Sequence, residues 1–119
     1  MSVEQNKTVA RRFIEEVWNE GRLEVADELL APNLINHQAA EPTRGREAFK
    51  QFIAEFRAAN PGVRFTIEDM LGEGDKVATR VTIKSGASGH PQSWTGIGIA
   101  RIADGQIVEQ WADTNPFRA

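Results

Sequence analysis

The fold is decided at residues 63–83, VRFTIEDMLGEGDKVATRVTI, where the hydrophobic pattern acquires a period of two. Over residues 63–67 and 77–83, on the two sides of a glycine-containing turn, every second side chain is apolar or a threonine. The alternating residues are Val63, Phe65 and Ile67 before the turn and Val77, Thr79, Val81 and Ile83 after it. Because side chains alternate between the two faces of a strand, this pattern predicts two half-buried β-strands.

Three helices are predicted upstream of this stretch. Apolar residues recur at helical spacing over residues 4–19 and, more briefly, over residues 22–30. A third helix is predicted over residues 46–59, and the Asn-Pro-Gly sequence at 60–62 ends it. Its apolar stripe consists of Phe49, Phe52, Ile53 and Phe56. Residues 33–37 have the composition of a brief strand between the second and third helices.

Two further strands are predicted downstream. One covers residues 92–102, after which Asp104-Gly105 predicts a tight hairpin turn. The last strand lies within residues 107–116, IVEQWADTNP. Three helices followed by a meander of four strands predict an α+β fold, with the helices packed on one face of an antiparallel sheet. Without an internal repeat or linker, residues 1–119 are expected to form a single domain.

The composition argues against several classes of function. A net charge of −3 disfavours nucleic acid binding, which usually needs a basic surface. No apolar run approaches the roughly 20 residues that span a bilayer, and the polar N-terminal segment lacks a signal-peptide core. Cysteine is absent, which excludes disulfides and cysteine-bound metals. We therefore expect a cytoplasmic protein with neither a nucleic acid nor a membrane as its partner.

The last strand carries the main candidates for chemistry. With a period of two, one face of this strand holds Ile107, Glu109, Trp111, Asp113 and Asn115. An aromatic wall beside a carboxylate raises its pKa by desolvation, which would suit Asp113 to general acid or base catalysis. The alternative is that Asp113 lies in solvent as a turn-forming residue. For Glu109, a solvated face or an ion pair with Arg101 on the neighbouring strand is favoured over catalysis.

Few other polar residues indicate a site. His37 and His90 are the two histidines, and they lack the spacing of a metal site, so no metal is predicted. His37 lies at the end of the brief strand, beside Asn36, where it could reach a cavity. Arg80 alternates with Val81, which leaves it either a solvated arginine or an anion clamp in a pocket. The motifs of nucleotide binding and acyl-serine chemistry are absent.

Three segments of the chain resemble a known family. They read NKTVARRFIEEVWNEGRLEVADELLAPNLINH, RGREAFKQFIAEFRAANPGVRFTIEDMLGEGDKVATRVTI and GIGIARIADGQIVEQWADTN. Together they resemble the SnoaL-like polyketide cyclases, also called predicted ester cyclases, of the nuclear transport factor 2-like and ketosteroid isomerase-like superfamily. The resemblance implies a curled antiparallel sheet that forms a cone-shaped apolar pocket with three N-terminal helices. It also implies a homodimer joined through the sheet.

The resemblance also implies a site. Polyketide cyclases of this family use one carboxylate of the last strand as acid and base, without a metal or an organic cofactor. That acid stands four residues after the tryptophan, where this chain has Asn115, and an amide cannot transfer a proton at neutral pH. The nearest acid is Asp113, which becomes the candidate catalytic group together with His37. The candidate ligand-binding residues are Asn115, Trp111, Arg80, Trp18, Phe52 and Trp94.

Two functions are compatible with these residues. One is a cofactor-independent cyclase or isomerase that acts on a small apolar carbonyl compound. In that enzyme Asp113 would move the proton, while His37 and Asn115 would hold the carbonyl or enolate oxygen. The alternative is a protein without catalytic activity that binds a small hydrophobic molecule in the same pocket. Asn115 in place of the family acid favours this alternative, and a fold alone does not establish a reaction.

Overall fold

The computed structural model describes residues 2–38, 41–86 and 92–113. Its helices are α1 (Val3–Arg12), which continues into a π-helical segment (Phe13–Asn19), α2 (Leu23–Leu29) and α3 (Arg46–Ala59). The bounds of α3 are those predicted from the sequence. Within the described ranges, no helix combines the length and the apolar character that a bilayer crossing requires.

The first predicted helix contains two kinds of helical turn. After Arg12 the backbone adopts a π-helix, whose hydrogen bonds join residues five apart instead of four. This spacing brings Trp18 over Phe13, and their ring centroids lie 6.3 Å apart. Phe13, Val17 and Trp18 are all buried as a result. The π-helical turn therefore sets the direction of the Trp18 side chain, which points toward the sheet. In a regular α-helix over the same residues, this side chain would point in another direction.

A six-stranded sheet packs against these helices. Its strands are β1 (Leu30–Asn36), β2 (Thr43–Arg44), β3 (Arg64–Glu73), β4 (Lys76–Ser85), β5 (Gln92–Ala103) and β6 (Gln106–Asp113). Their spatial order is β2-β1-β6-β5-β4-β3. The predicted α+β class, with three N-terminal helices and a curled sheet, is confirmed. The sheet is mixed rather than wholly antiparallel, because β1 pairs with β6 in the parallel direction.

The hydrophobic core lies between the helices and one face of the sheet, which we call the inner face. Along β4, Val77, Val81 and Ile83 are buried on this face, while Lys76 and Arg80 are exposed on the opposite, outer face. The predicted alternation of this strand is therefore confirmed. Side chains of α1, the π-helical segment and α3 pack against the inner face and complete the core.

A β-bulge in β6 changes which side chains share a face. Ile107 pairs with Ile102 and Glu109 pairs with Arg101, so Val108 is one extra residue in β6. An extra residue reverses the alternation of all residues beyond it. Ile107 lies on the inner face with no exposed surface, whereas Glu109, Trp111 and Asp113 lie on the outer face. The prediction that these residues share the face of Ile107 is therefore wrong; Asn115 lies outside the described residues.

Candidate ligand-binding cavity

A cavity of about 60 Å³ lies between α1, the π-helical segment and the inner face of the sheet. Its apolar lining includes Phe13, Ile14, Trp18, Phe65, Val81 and Ile107. Because a water molecule needs only about 10–15 Å³ of such volume, the cavity has room for several waters or for part of a small molecule. The small residues Ala10, Gly98 and Ala100 also line it, and they keep this space open.

Three uncharged polar side chains line the same cavity: Gln38, Thr79 and Gln110. Thr79 and Gln110 come from the inner face of β4 and β6. Gln38 follows β1, and its backbone N–H donates to the Oδ1 atom of the buried Asn36 at 3.1 Å. Of the described residues that line the cavity, none carries a charge. The site can therefore offer hydrogen bonds to a ligand within mostly apolar walls.

The aromatic residues predicted to bind a ligand have different positions. Trp18 lines the cavity, and its ring lies 5.0 Å from that of Phe65. Phe52 packs edge-on against Trp18 at 6.4 Å, and it is only partly buried. Trp94 lies on the inner face of β5 and packs against the core. Among these three residues, only Trp18 is part of the described lining.

Both predicted catalytic residues lie on the outer face. The Nε2 atom of His37 is 2.8 Å from Oε2 of Glu109, and its ring stacks on Trp111 at a centroid distance of 5.2 Å. Asp113 pairs in register with Ile97. It lies two residues after Trp111 and therefore on the same face of β6. His37 and Asp113 are thus separated from the described cavity by the sheet itself. Their roles in proton transfer stay predictions.

Glu109 is the centre of this outer-face cluster. Its Oε1 atom accepts hydrogen bonds from Nε and Nη2 of Arg101 at 3.2 and 3.1 Å. The hydrogen bond with His37, and then those from Arg101, hold the pKa of the Glu109 carboxyl below its ordinary value. Of the two alternatives to catalysis that the sequence offered for Glu109, the ion pair with Arg101 is the one observed.

Arg80 lies on the outer face as well. Its Nε atom donates to Oδ2 of Asp69 on β3 at 2.7 Å, and about half of its side chain is exposed. This geometry is that of a solvated ion pair, which was one of the two interpretations of the sequence. Arg80 does not contribute to the described lining of the cavity.

The described residues contain no group of three histidine, aspartate or glutamate side chains that could hold a metal ion. His90, the second histidine considered for such a site, lies outside the described residues. The residues that the sequence did not single out are Gln38, Thr79 and Gln110. For Thr79 the signal was its alternation with Val77 and Val81, which places it on their face. For Gln110 the signal would have been the register of β6, because a one-residue shift decides which polar side chains face the helices.

Three helices that cover the inner face of a curled six-stranded sheet, with a small and mostly apolar cavity between them, define an α+β protein of the cone-shaped class. Residues 8–115 match the SnoaL-like polyketide cyclase family, and this chain belongs to that family. The resemblance found in the sequence is thereby confirmed. No curated protein sequence matches the chain closely.

Several solved structures share the fold. IdmH of Streptomyces antibioticus, provisionally assigned as a polyketide cyclase, is 28% identical over 91% of this chain and 90% of IdmH, with a TM-score of 0.81. A loop-truncated variant of IdmH is 31% identical over 90% of each chain, with a TM-score of 0.82. A provisionally assigned ketosteroid isomerase of Kribbella flavida is 19% identical over 98% of this chain and 83% of its own, with a TM-score of 0.81. This last similarity shows the fold alone.

Proposed function

We propose that the cavity binds a small, mostly apolar molecule that carries a carbonyl or hydroxyl group. The observation that supports this proposal is the lining, in which apolar walls surround three neutral hydrogen-bonding side chains. Ligand sites in proteins commonly combine apolar walls with a few polar groups that fix orientation. Each methylene group that leaves water for such walls contributes about 0.8 kcal/mol.

A thermal-shift screen tests this proposal. Steroids, aromatic polyketides and lipids are added to the protein, and a bound ligand raises the melting temperature because it binds only the folded state. The variant Ala10→Leu places a larger side chain in the cavity, while Ala54→Leu makes the same change on the exposed side of α3. We expect the shift to disappear in Ala10→Leu and to persist in Ala54→Leu. A shift that persists in both variants would place the ligand elsewhere.

Catalysis is the second candidate function, and membership of the SnoaL-like polyketide cyclase family favours it. A cyclase or isomerase of a carbonyl compound needs a group that accepts and returns a proton. Asp113 is the candidate from the sequence, with His37 and Asn115 as hydrogen-bonding partners of the oxygen. Because His37 and Asp113 lie on the outer face, the substrate of such a reaction would bind on that face rather than in the cavity. Each ligand found in the screen is incubated with wild type and with Asp113→Asn. Equal turnover by both proteins would remove Asp113 from the mechanism, and recovery of unaltered ligand would support binding alone.

We also propose that two copies of the chain associate through the outer face of the sheet. Large apolar side chains are exposed there, with Leu71 at 69%, Ile97 at 55% and Ile99 at 38%. Beside them lie two ion pairs, Asp69 with Arg80 and Glu109 with Arg101. Because charges of both signs flank the apolar side chains, a second copy related by a two-fold axis can oppose unlike charges.

The oligomeric state tests this second proposal. Ile99→Lys puts a charge in the middle of the exposed apolar side chains, and Ala54→Lys adds the same charge on α3 as a control. We expect wild type and Ala54→Lys to sediment as dimers and Ile99→Lys to sediment as a monomer. Monomeric wild type at micromolar concentration would contradict the proposal. The cytoplasmic location stays a prediction from the sequence.

A further inference from the structure

Gly98 provides space rather than an unusual backbone conformation. It lies on the inner face of β5, where it pairs in register with Ala112. Its φ angle is outside the left-handed region, so the backbone does not require glycine at this position. A Cβ atom at residue 98 would lie 3.1 Å from Nε2 of Gln110 and 3.2 Å from the carbonyl oxygen of Trp111. The side chain of Gln110 thus uses the volume that a larger residue 98 would occupy.

Gln110 presents both a donor and an acceptor to the cavity. Its carboxamide has two N–H donors and one carbonyl acceptor, and it has no charge at any ordinary pH. Gln38 and Thr79, the other polar side chains of the described lining, are also uncharged. A carboxylate or ammonium group of a ligand would therefore enter without a counter-ion from these residues. Burial of an unpaired charge is far less favourable than burial of a neutral group that is hydrogen-bonded.

We infer that Gln110 binds the polar head of the ligand and that Gly98 determines specificity because it leaves room for the Gln110 carboxamide. The ligand class is a neutral molecule with a carbonyl or hydroxyl head and an apolar body. The corresponding carboxylates and amines are excluded. This inference rests on the proposed binding function and adds the residues that select the ligand.

Four one-ring probes of similar shape test the selection: acetophenone, toluene, benzoate and benzylamine, which is a cation at neutral pH. Their dissociation constants are measured by saturation-transfer NMR titration with the full chain. We expect wild type to bind acetophenone roughly fivefold more tightly than toluene, which is the effect of one net hydrogen bond. Benzoate and benzylamine are expected to show no saturable binding.

Variants of the two residues test the assignment. Gly98→Ala and Gln110→Leu are each expected to weaken acetophenone binding roughly fivefold, and Gln110→Leu leaves toluene binding unchanged. Gln110→Glu introduces a carboxylate and is expected to gain saturable binding of benzylamine. The matched controls are Gly86→Ala, where a Cβ atom meets nothing within 4 Å, and Gln51→Leu on the exposed side of α3. Both controls are expected to bind all probes as wild type does.

The outcomes separate this inference from the binding function. If wild type binds none of the four probes, both the binding function and the inference fail. If acetophenone and toluene bind and neither Gly98→Ala nor Gln110→Leu changes the acetophenone affinity, only the inference is overturned. Benzoate binding as tight as that of acetophenone also overturns it. Melting curves establish that each variant is folded, and Gln110→Leu alone decides the test if Gly98→Ala does not fold.

Discussion

The imidazole of His37 lies parallel to the indole of Trp111 on the outer face of the sheet, with an interplanar angle of 4°. This stack joins the end of β1 to β6, the only parallel pair of strands among those described. The backbone N–H of His37 donates to the carbonyl oxygen of Gln110 at 2.8 Å, which extends the same contact. His37, Trp111 and Glu109 therefore hold the first strand against the last one.

We expect Glu109→Gln to weaken the acid dependence of stability. The pKa of Glu109 is lowered in the folded protein, first by the hydrogen bond with His37 and then by Arg101. Such a carboxyl contributes stability above its ordinary pKa of 4.5 and loses that contribution as the pH falls through the lowered, folded value. The melting temperature of wild type, followed by circular dichroism, is expected to fall more steeply below about pH 5 than that of the variant.

The control for this experiment is Glu47→Gln, because the Glu47 side chain is 78% exposed at the start of α3. Its melting temperature is expected to follow that of wild type at every pH. If Glu109→Gln and wild type lose stability in parallel on acidification, the cluster on the outer face does not contribute through the charge of Glu109.

The Asn19 side chain hydrogen-bonds the backbone of the edge strand β3, and its substitution by alanine is expected to destabilise the protein. Its Nδ2 donates to the carbonyl oxygen of Phe65 at 2.9 Å, and its Oδ1 accepts from the Phe65 N–H at 2.7 Å. With a net value of about 1 kcal/mol for each hydrogen bond, Asn19→Ala is expected to lower the free energy of unfolding by about 2 kcal/mol. Urea denaturation measures this change. Asn33→Ala, at an exposed position of β1, serves as the control, and equal effects in the two variants would contradict the prediction.

The sequence predicts local features of the fold well. The bounds of α3 follow from its apolar stripe and from the Asn-Pro-Gly sequence after it, which are signals within a few residues of the helix. The ion pair between Arg101 and Glu109 could be predicted because the two residues flank a short hairpin. These features depend on neighbours in the chain, so their patterns are sufficient.

The candidate site could not be predicted in the same way. Val108 becomes a bulge because of how β5 and β6 pair, and a period of two in the sequence does not reveal an extra residue. That one residue moves Trp111 to the outer face and places Gln110 in the cavity. The parallel pairing of β1 with β6 joins residues about 75 positions apart, which a local pattern does not specify. The prediction that Glu109, Trp111 and Asp113 share the face of Ile107 therefore failed on register rather than on composition.

Gly21→Ala is expected to be more destabilising than Gly62→Ala. Both glycines have φ angles in the left-handed region, +70° and +75°, so each substitution has a backbone cost of about 1–2 kcal/mol. A Cβ atom at Gly62 meets nothing within 4 Å, whereas one at Gly21 would lie 2.8 Å from the guanidinium group of Arg57. Arg57 in turn donates to the carbonyl oxygens of Trp18 and Asn19 at 2.5 and 2.9 Å.

The difference between the two glycine variants therefore measures the contact of Arg57 with the end of the π-helical segment. Urea denaturation gives the free energy of unfolding for both. Because displacement of Arg57 also releases the backbone of Trp18, the fluorescence of Trp18 is expected to change in Gly21→Ala and not in Gly62→Ala. Both glycine variants are made in a protein that carries Trp94→Phe and Trp111→Phe, so that Trp18 is its single tryptophan. Equal losses of stability would show that Arg57 moves aside at no cost.

Phe49 and Phe52 lie on the same stripe of α3, but their substitution by alanine is expected to have unequal effects. Phe49 has no exposed surface, and its ring contacts those of Phe13 and Trp18 at centroid distances of 5.6 and 6.4 Å. Phe49→Ala leaves a cavity among these rings, so we expect a loss of about 3–5 kcal/mol. Phe52 is only partly buried, and solvent can occupy part of the volume that Phe52→Ala vacates, so its loss is expected to be roughly half as large. Urea denaturation of the two variants decides between this ranking and an even contribution of the stripe, which similar losses would support.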